Sequence, residues 1–126
     1  MEVAVNNVIR IPTSLQKFFR YWYEFLKPFH KLTDREIDVI TAFTYERHML
    51  SKVISDNDIL DKVLMSEDTK KKIRESCNIT LAHFQVIMGK LRRNKIIVNN
   101  KINPKFIPNI TEEEGAFKLM LLFDIK

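Results

Sequence analysis

Apolar residues recur at helical spacing between positions 81 and 91. They fall at i, i+3, i+6, i+7 and i+10, which places them on one face of a helix. These residues are Leu81, Phe84, Ile87, Met88 and Leu91. Thr80 comes just before the first of them and can cap the helix, which Asn94 and Lys95 end. The β-branched run at 96–98 then predicts a strand.

A shorter helix is predicted directly upstream. Ser66 can cap a helix over Glu67–Cys77, and acids in its first turn suit the positive end of the helix dipole. Asn78 and Ile79 break the pattern, and Ile79 can share an apolar contact with Ile73 across the turn. A short helix, a tight turn, a longer helix and a strand are typical of a winged helix-turn-helix. The predicted fold class is therefore α+β, mostly α.

Three further helices are predicted before this motif, and the last two would support it. The first of the three must end before Pro28, because a residue that precedes proline avoids helical backbone angles. They are a helix over 14–27 opened by a capping box of Thr13 and Gln16, a helix over 34–50 opened by a capping box of Thr33 and Glu36, and a short helix capped by Ser55 that ends near residue 65.

Alternating apolar and polar residues predict an extended segment at each end of the chain. Residues 3–11 alternate until Pro12 and form an N-terminal arm, residues 1–12. Residues 117–125 alternate more clearly and predict a C-terminal strand, residues 116–126. We expect this strand to pair with the strand at 96–98 as part of the wing sheet.

The segment between these two strands carries turn signals. Pro104 and Pro108 confine it to a hairpin or an edge strand with a loop, because proline cannot donate to a sheet. Residues 111–115 are interpreted as an acidic turn. No repeat, low-complexity segment or linker divides the chain, so residues 1–126 are predicted to form a single winged-helix-like domain with an extra aromatic helix at its N-terminus.

The helix over 14–27 is more apolar than a surface helix needs to be. Leu15, Phe19, Trp22 and Leu26 can pack inward, which leaves neighbouring aromatic residues on their flank. Two interpretations are open: a core helix covered by its own chain, or a helix that a partner covers. The residues predicted to form an oligomer or partner interface are Phe18, Tyr21, Trp22, Phe25, Val3, Val5, Leu119 and Leu121.

Positive charge is concentrated in the second half of the chain. The formal net charge is +5, yet residues 77–110 contain six Lys or Arg side chains and no acid. This pattern is compatible with a solvated surface or with phosphate contacts to duplex DNA. The residues predicted to read bases are at the start of the second helix and in the turn, and none is Arg or Lys: Thr80, Ala82, His83, Gln85 and Asn78. The candidate DNA contacts are Lys70, Lys71, Lys72, Thr80, His83, Gln85, Arg92, Arg93, Lys95 and Lys101.

Composition argues against several other functions. The three histidines are far apart in the sequence, with no cysteine or carboxylate at ligand spacing, so no metal site is predicted. The chain has no phosphate-binding glycine loop and no nucleophile–base pattern, so neither a cofactor, a small-molecule substrate nor an enzymatic activity is expected. Cys77 is the sole cysteine, which fits a reducing compartment. No membrane span or signal peptide is expected.

Three phrases carry a resemblance to a known group of proteins. They are His30-Lys31-Leu32-Thr33 with Glu36, the run Leu-Arg-Arg-Asn-Lys-Ile-Ile at 91–97, and the run Lys-Ile-Asn-Pro-Lys-Phe-Ile-Pro at 101–108. Together they resemble small proteins of crAss-like tailed phages of gut bacteria. The resemblance implies a virion component, such as a head–tail ring or adaptor, assembled in the bacterial cytoplasm. The Asn-Pro phrase after a winged helix is also similar to plasmid-type replication initiators, which usually carry a second winged-helix copy.

Two function hypotheses follow. The first is a non-catalytic virion assembly protein that forms a homo-oligomer, such as a closed ring, and contacts other virion proteins. It rests on the aromatic helix and on the terminal arms, because extended segments can pair with the sheet edge of a neighbour. The alternative is a winged-helix DNA-binding protein, either a transcription regulator or a replication-initiator-like protein.

Overall fold

A computed structural model describes residues 9–113, 115–119 and 121–125. The fold is α+β and mostly helical, with two small antiparallel sheets of two strands each. The elements in chain order are α1 (Leu15–Phe25), α2 (Lys27–His30), α3 (Asp34–Ser51), α4 (Asn57–Leu64), α5 (Glu67–Ser76), α6 (Leu81–Arg93), β1 (Ile97–Val98), β2 (Lys101–Ile102), a 3-10 turn (Pro104–Phe106), β3 (Ile110–Glu113) and β4 (Ala116–Leu119).

The core forms where α3 packs against α1, α4, α5 and α6. Phe84 on α6 stacks on Phe43 of α3 with ring centroids 6.3 Å apart, and Ile40 and Leu91 belong to the same buried cluster. The predicted apolar row on α6 is thus confirmed except at its first member. Leu81 is exposed, because it lies at the edge of the helix face that meets α3.

The helix pair α5 and α6 follows the sequence prediction closely. The Ser66 hydroxyl accepts a hydrogen bond from the Thr69 N–H, and the Thr80 hydroxyl caps α6 in the same way. Ile73 on α5 and Ile79 in the connection are both buried, as predicted. The guanidinium of Arg35 on α3 donates to the carbonyl of Cys77 at 2.8 Å, so α3 also ties down the end of α5.

Two predicted helix caps are wrong by one residue. The first helix is capped by Ser14 rather than Thr13. Helix α4 is capped by Asp56 rather than Ser55, because the Asp56 carboxylate accepts two backbone N–H groups. Helix α1 ends at Phe25, before Pro28 as predicted, and the separate short helix α2 then spans the proline. Proline stands at the start of α2, where its missing N–H would have had no intrahelical partner.

The sheets differ most from the prediction. β1 pairs with β2, through a tight turn in which Asn99 and Asn100 both have positive φ, as a type I′ turn requires. The C-terminal strand pairs with β3 instead of 96–98, and the predicted acidic turn at 111–115 is largely strand β3. Gly115, with φ 77°, reverses the chain between β3 and β4, so a local hairpin replaces the longer-range pairing.

Parts of both predicted arms are not strands. Residues 9–14 belong to no helix or strand, and Val3 and Val5 lie outside the described residues. At the other end β4 stops at Leu119, and residues 121–125 form no strand. The β3–β4 hairpin is held to α3 by Glu112, which pairs with Nε2 of His48 at 2.7 Å and with Lys52 at 3.8 Å.

His30 lies buried at a junction of three helices. Its Nε2 donates to the carbonyl of Tyr23 on α1 at 2.6 Å, while Nδ1 accepts the N–H of Leu32 at 3.0 Å. The side-chain amide of Asn94, at the end of α6, donates to the backbone carbonyl of His30 at 2.8 Å. Because Nδ1 must stay unprotonated to accept that bond, the fold holds His30 as the neutral imidazole with hydrogen on Nε2.

The first prediction concerns the core. Phe84→Ala should lower the free energy of unfolding by about 3–5 kcal/mol, because it removes a ring that stacks on Phe43 and leaves a cavity. Urea denaturation followed by circular dichroism measures this change. Leu81→Ala on the same helix is the control and should cost less than about 1 kcal/mol, since its side chain is exposed. Equal losses in the two variants would contradict this packing.

The second prediction concerns pH. Burial lowers the pKa of His30 below its ordinary value of 6.5. Just below pH 6.5 the imidazole is therefore protonated in the unfolded chain but stays neutral in the folded chain. The free energy of unfolding should therefore fall as the pH drops from about 7.5 to about 5.5. Melting curves of His30→Gln should show a weaker dependence over this range, whereas His83→Gln, at an exposed position, should behave like the wild type. A wild-type melting temperature that is constant over this range would contradict the assignment.

Candidate interaction surfaces

The first surface lies on α1 and α2. Tyr21, Phe25 and Phe29 keep 55%, 48% and 73% of their surface exposed. The ring of Phe123, from the C-terminal segment, contacts the edge of Phe25 with centroids 6.3 Å apart. Phe123 and its neighbour Leu122 are themselves largely exposed. We call these five residues the aromatic surface, which joins a helix near the start of the chain to its C-terminal segment.

The opposite face of α1 is fully buried. Phe19 and Tyr23 pack onto α3, and the Tyr23 hydroxyl lies 2.7 Å from the Thr44 hydroxyl. Thr44 donates its own hydrogen to the carbonyl of Ile40, so the tyrosine is the donor in this pair. Burial raises the pKa of Tyr23 far above its ordinary value. The inward row therefore centres on Phe19 and Tyr23, whereas Leu15, Trp22 and Leu26, predicted to point inward, are half-buried beside it.

A polar contact fixes the rotation of α1 about its axis. The guanidinium of Arg20 bridges to Asp38 on α3 and to Glu24 one turn along α1, the latter at 3.0 Å. It also approaches Asp34, at the start of α3, at 3.8 Å. Together with Tyr23, this contact leaves Tyr21 and Phe25 on the side that α3 does not cover.

Trp22 has a structural role that the sequence does not reveal. Its Nε1–H donates to the carbonyl of Phe106 in the 3-10 turn at 2.8 Å, and its indole is half-buried. The ring still stacks against Phe25, with centroids 6.5 Å apart. Trp22 therefore packs beneath the aromatic surface, and its role in a partner interface stays a prediction.

The other predicted interface residues divide into three groups. Phe18 is half-buried because its ring packs against Phe117 of β4, with centroids 4.7 Å apart. Leu119 is half-buried. Leu121 is exposed and directly precedes Leu122 of the aromatic surface in the sequence. Val3 and Val5 are outside the described residues, so the structure does not bear on them.

The second surface is basic and lies at the C-terminal end of α6, along the β1–β2 hairpin and in the 3-10 turn that follows it. We call it the basic surface; it consists of Arg92, Arg93, Lys95, Lys101 and Lys105. Lys101 is half-buried and the other four are exposed. Within the described ranges, none of the five forms an ion pair with a carboxylate.

The remaining candidate DNA-contacting cations are three lysines on α5, and two of them form ion pairs. Lys72 on α5 pairs with Glu46 of α3 at 3.0 Å, and Lys70 lies 3.9 Å from Glu67. Lys71 is exposed. The two ion pairs offset the charges of Lys70 and Lys72, which distinguishes these two lysines from the basic surface.

The start of α6, where base contacts were predicted, is only partly polar. The Thr80 hydroxyl accepts the His83 N–H at 3.1 Å and is thereby used as the helix cap. His83 and Gln85 are exposed as expected. Beside them, Leu81 and Val86 are 55% and 65% exposed, which is an unusual composition for a helix face that reads bases.

A polar cavity of about 510 Å³ opens between the start of α1, α3 and α5. Its charged groups cancel in pairs, Arg35 with Asp38 at 3.2 Å and Lys72 with Glu46. Burial raises the pKa of the Cys77 thiol on its wall, which disfavours the reactive thiolate. Among the described residues, no group of His, Cys, Asp and Glu is placed to hold a metal ion, and no helix is long and apolar enough to cross a membrane.

Comparisons with known proteins give no match. No protein-family model matches the chain, and no curated protein sequence or solved structure is significantly similar to it. The aromatic surface and the basic surface are therefore the features from which a function can be proposed.

Proposed function

We propose that the chain is a winged helix. In this interpretation α5 and α6 are the helix-turn-helix, the β1–β2 hairpin is the wing, and α3 is the supporting helix behind them. The order of elements and the four-residue connection between α5 and α6 support it. Helices α1 and α2, the β3–β4 hairpin and the segment after it are then additions to the motif, and the aromatic surface lies on the two helices and that segment.

We propose that the protein is a non-catalytic assembly protein of a phage virion, of the head–tail ring or adaptor type. The observation that carries this proposal is the exposed aromatic surface. Soluble monomers seldom expose a joined group of large apolar side chains, and such groups commonly mark protein–protein contacts. The sequence resemblance to proteins of crAss-like phages supports the virion context.

The size and chemistry of this surface suit a protein partner. Aromatic side chains bury about 150–250 Å² each, and a stable contact buries about 800 Å² per partner. Tyr21, Phe25, Phe29 and Phe123 can supply a large share of that area. Tyrosine also keeps a hydroxyl for the wetter edge of a contact. A second copy of the chain is the proposed first partner, and neighbouring virion proteins are the others.

A second candidate function is duplex-DNA binding, as in a regulator or a replication-initiator-like protein. The basic surface favours it, because its five cations have no carboxylate partner among the described residues and occupy the wing and the end of α6. Phosphate contacts in winged-helix proteins fall in these places. The two functions use different surfaces and can be tested separately.

The third prediction tests assembly. The wild-type protein should form a homo-oligomer in size-exclusion chromatography with light scattering. Tyr21→Glu combined with Phe25→Glu should give a monomer, because two charges would have to be buried unpaired in the contact. Leu81→Glu combined with Val86→Glu is the matched control, since it charges two equally exposed apolar residues on α6 and should leave the oligomer intact.

Thermal melting of each variant shows whether the fold survives the substitutions. The same proposal predicts that mass spectrometry detects the protein in purified phage particles. A monodisperse wild-type monomer that is absent from such particles would contradict the assembly function and favour the DNA-binding candidate.

A further inference from the structure

Several cations in the second half of the chain are paired with carboxylates. Lys70, Lys72 and Lys90 each lie within 4 Å of a carboxylate, on Glu67, Glu46 and Glu36 respectively. The five cations of the basic surface have no such partner in the described part of the chain. Helix α5 sets three acids against its four cations, whereas residues 77–110 carry six cations and no acid. Positive charge is therefore concentrated at one end of α6 and along the wing.

The backbone beneath the basic surface is held by side-chain hydrogen bonds. Asn94 ties the end of α6 to the carbonyl of His30. The amide of Asn103 donates to the carbonyl of Lys95 at 2.9 Å, which joins the two ends of the hairpin. The Asn99–Asn100 turn sets the position of the hairpin tip. The cations thus extend from a fixed frame, so little backbone order has to be gained on binding.

The first half of α6 lacks the groups that reading a sequence requires. Specific recognition uses several side chains that donate to or accept from base edges. Here the Thr80 hydroxyl is occupied by the cap, while Leu81 and Val86 are exposed apolar side chains. Gln85 is the residue best suited to bind a base edge in the major groove, and His83 is the other exposed polar side chain on this half of α6. Two such residues give limited discrimination.

The positions of the exposed aromatic side chains indicate whether the basic surface suits a duplex or a single strand. Proteins that bind single strands stack bases on aromatic side chains. Phe84 and Phe106, the two aromatic residues between positions 80 and 110, are both buried. The exposed rings belong to the aromatic surface on α1, α2 and the C-terminal segment. The basic surface therefore suits the regular phosphate array of a duplex.

We infer that the basic surface binds the phosphate backbone of duplex nucleic acid without sequence preference, through the end of α6 and the wing. This inference rests on the DNA-binding candidate above and departs from the usual mode, in which the start of the second helix reads bases. It assigns the phosphate contacts to Arg92, Arg93, Lys95, Lys101 and Lys105, and it excludes the paired lysines of α5.

The test, which is the fourth prediction, is fluorescence anisotropy with short DNA duplexes of two unrelated sequences at several salt concentrations. Each phosphate contact contributes a slope of about 0.9 to the dependence of log affinity on log salt concentration. Arg92→Ala combined with Arg93→Ala should lower the magnitude of the slope by about 2. The matched control, Lys70→Ala combined with Lys72→Ala, should lower it by less than half as much.

The wild type should bind the two sequences within about threefold of each other, and Gln85→Ala should leave both affinities unchanged. A preference above tenfold, or an equal loss of slope in the lysine control, would overturn this inference while leaving DNA binding intact. No saturable complex at low salt would overturn both. Tyr21→Glu with Phe25→Glu should bind DNA with the same salt slope, which separates this result from the outcome of the assembly test.

Discussion

The burial of one face of α1 against α3 is the constraint that leaves the aromatic surface exposed. Phe19 and Tyr23 are enclosed, and the Tyr23 hydroxyl satisfies its hydrogen bond with Thr44, so a polar group can lie in the core without penalty. His30 then ties the end of α1 to the connection before α3 and to the end of α6. With these contacts made, α1 cannot rotate to hide its other apolar side chains.

The consequence is a helix with two apolar faces, of which α3 covers one. Tyr21 and Phe25 remain outside, and Phe123 of the C-terminal segment adds to them. The proposed winged helix packs on α3 as well and carries the basic surface, whose five cations form no ion pair within the described part of the chain. The chain thus separates an apolar surface suited to proteins from a basic surface suited to phosphates, which is why the two proposed activities need not compete.

Sequence reasoning succeeds where a local hydrogen bond or a helical period determines the structure. The caps at Thr33, Ser66 and Thr80 and the buried row on α6 are of this kind. It fails where two adjacent residues can both cap a helix, as Asp56 and Ser55 can. It also fails where the pairing of strands depends on geometry beyond the local pattern. Gly115 allows 110–113 and 116–119 to form their own hairpin, so the C-terminal strand does not reach β1. The burial of Tyr23 depends on Thr44, far away in sequence.

The central claim is that one face of α1 belongs to the core and the other to a partner. Hydroxyl-radical footprinting with mass spectrometry, at low and at high protein concentration, tests it most directly. In dilute protein Tyr21 and Phe25 should be oxidised rapidly and Phe19 and Tyr23 slowly. At concentrations where the oligomer forms, Tyr21 and Phe25 should become protected while exposed Val53 on the connection between α3 and α4 stays unchanged. Rapid oxidation of Tyr23 in dilute protein, or unchanged oxidation of Tyr21 on assembly, would contradict the account.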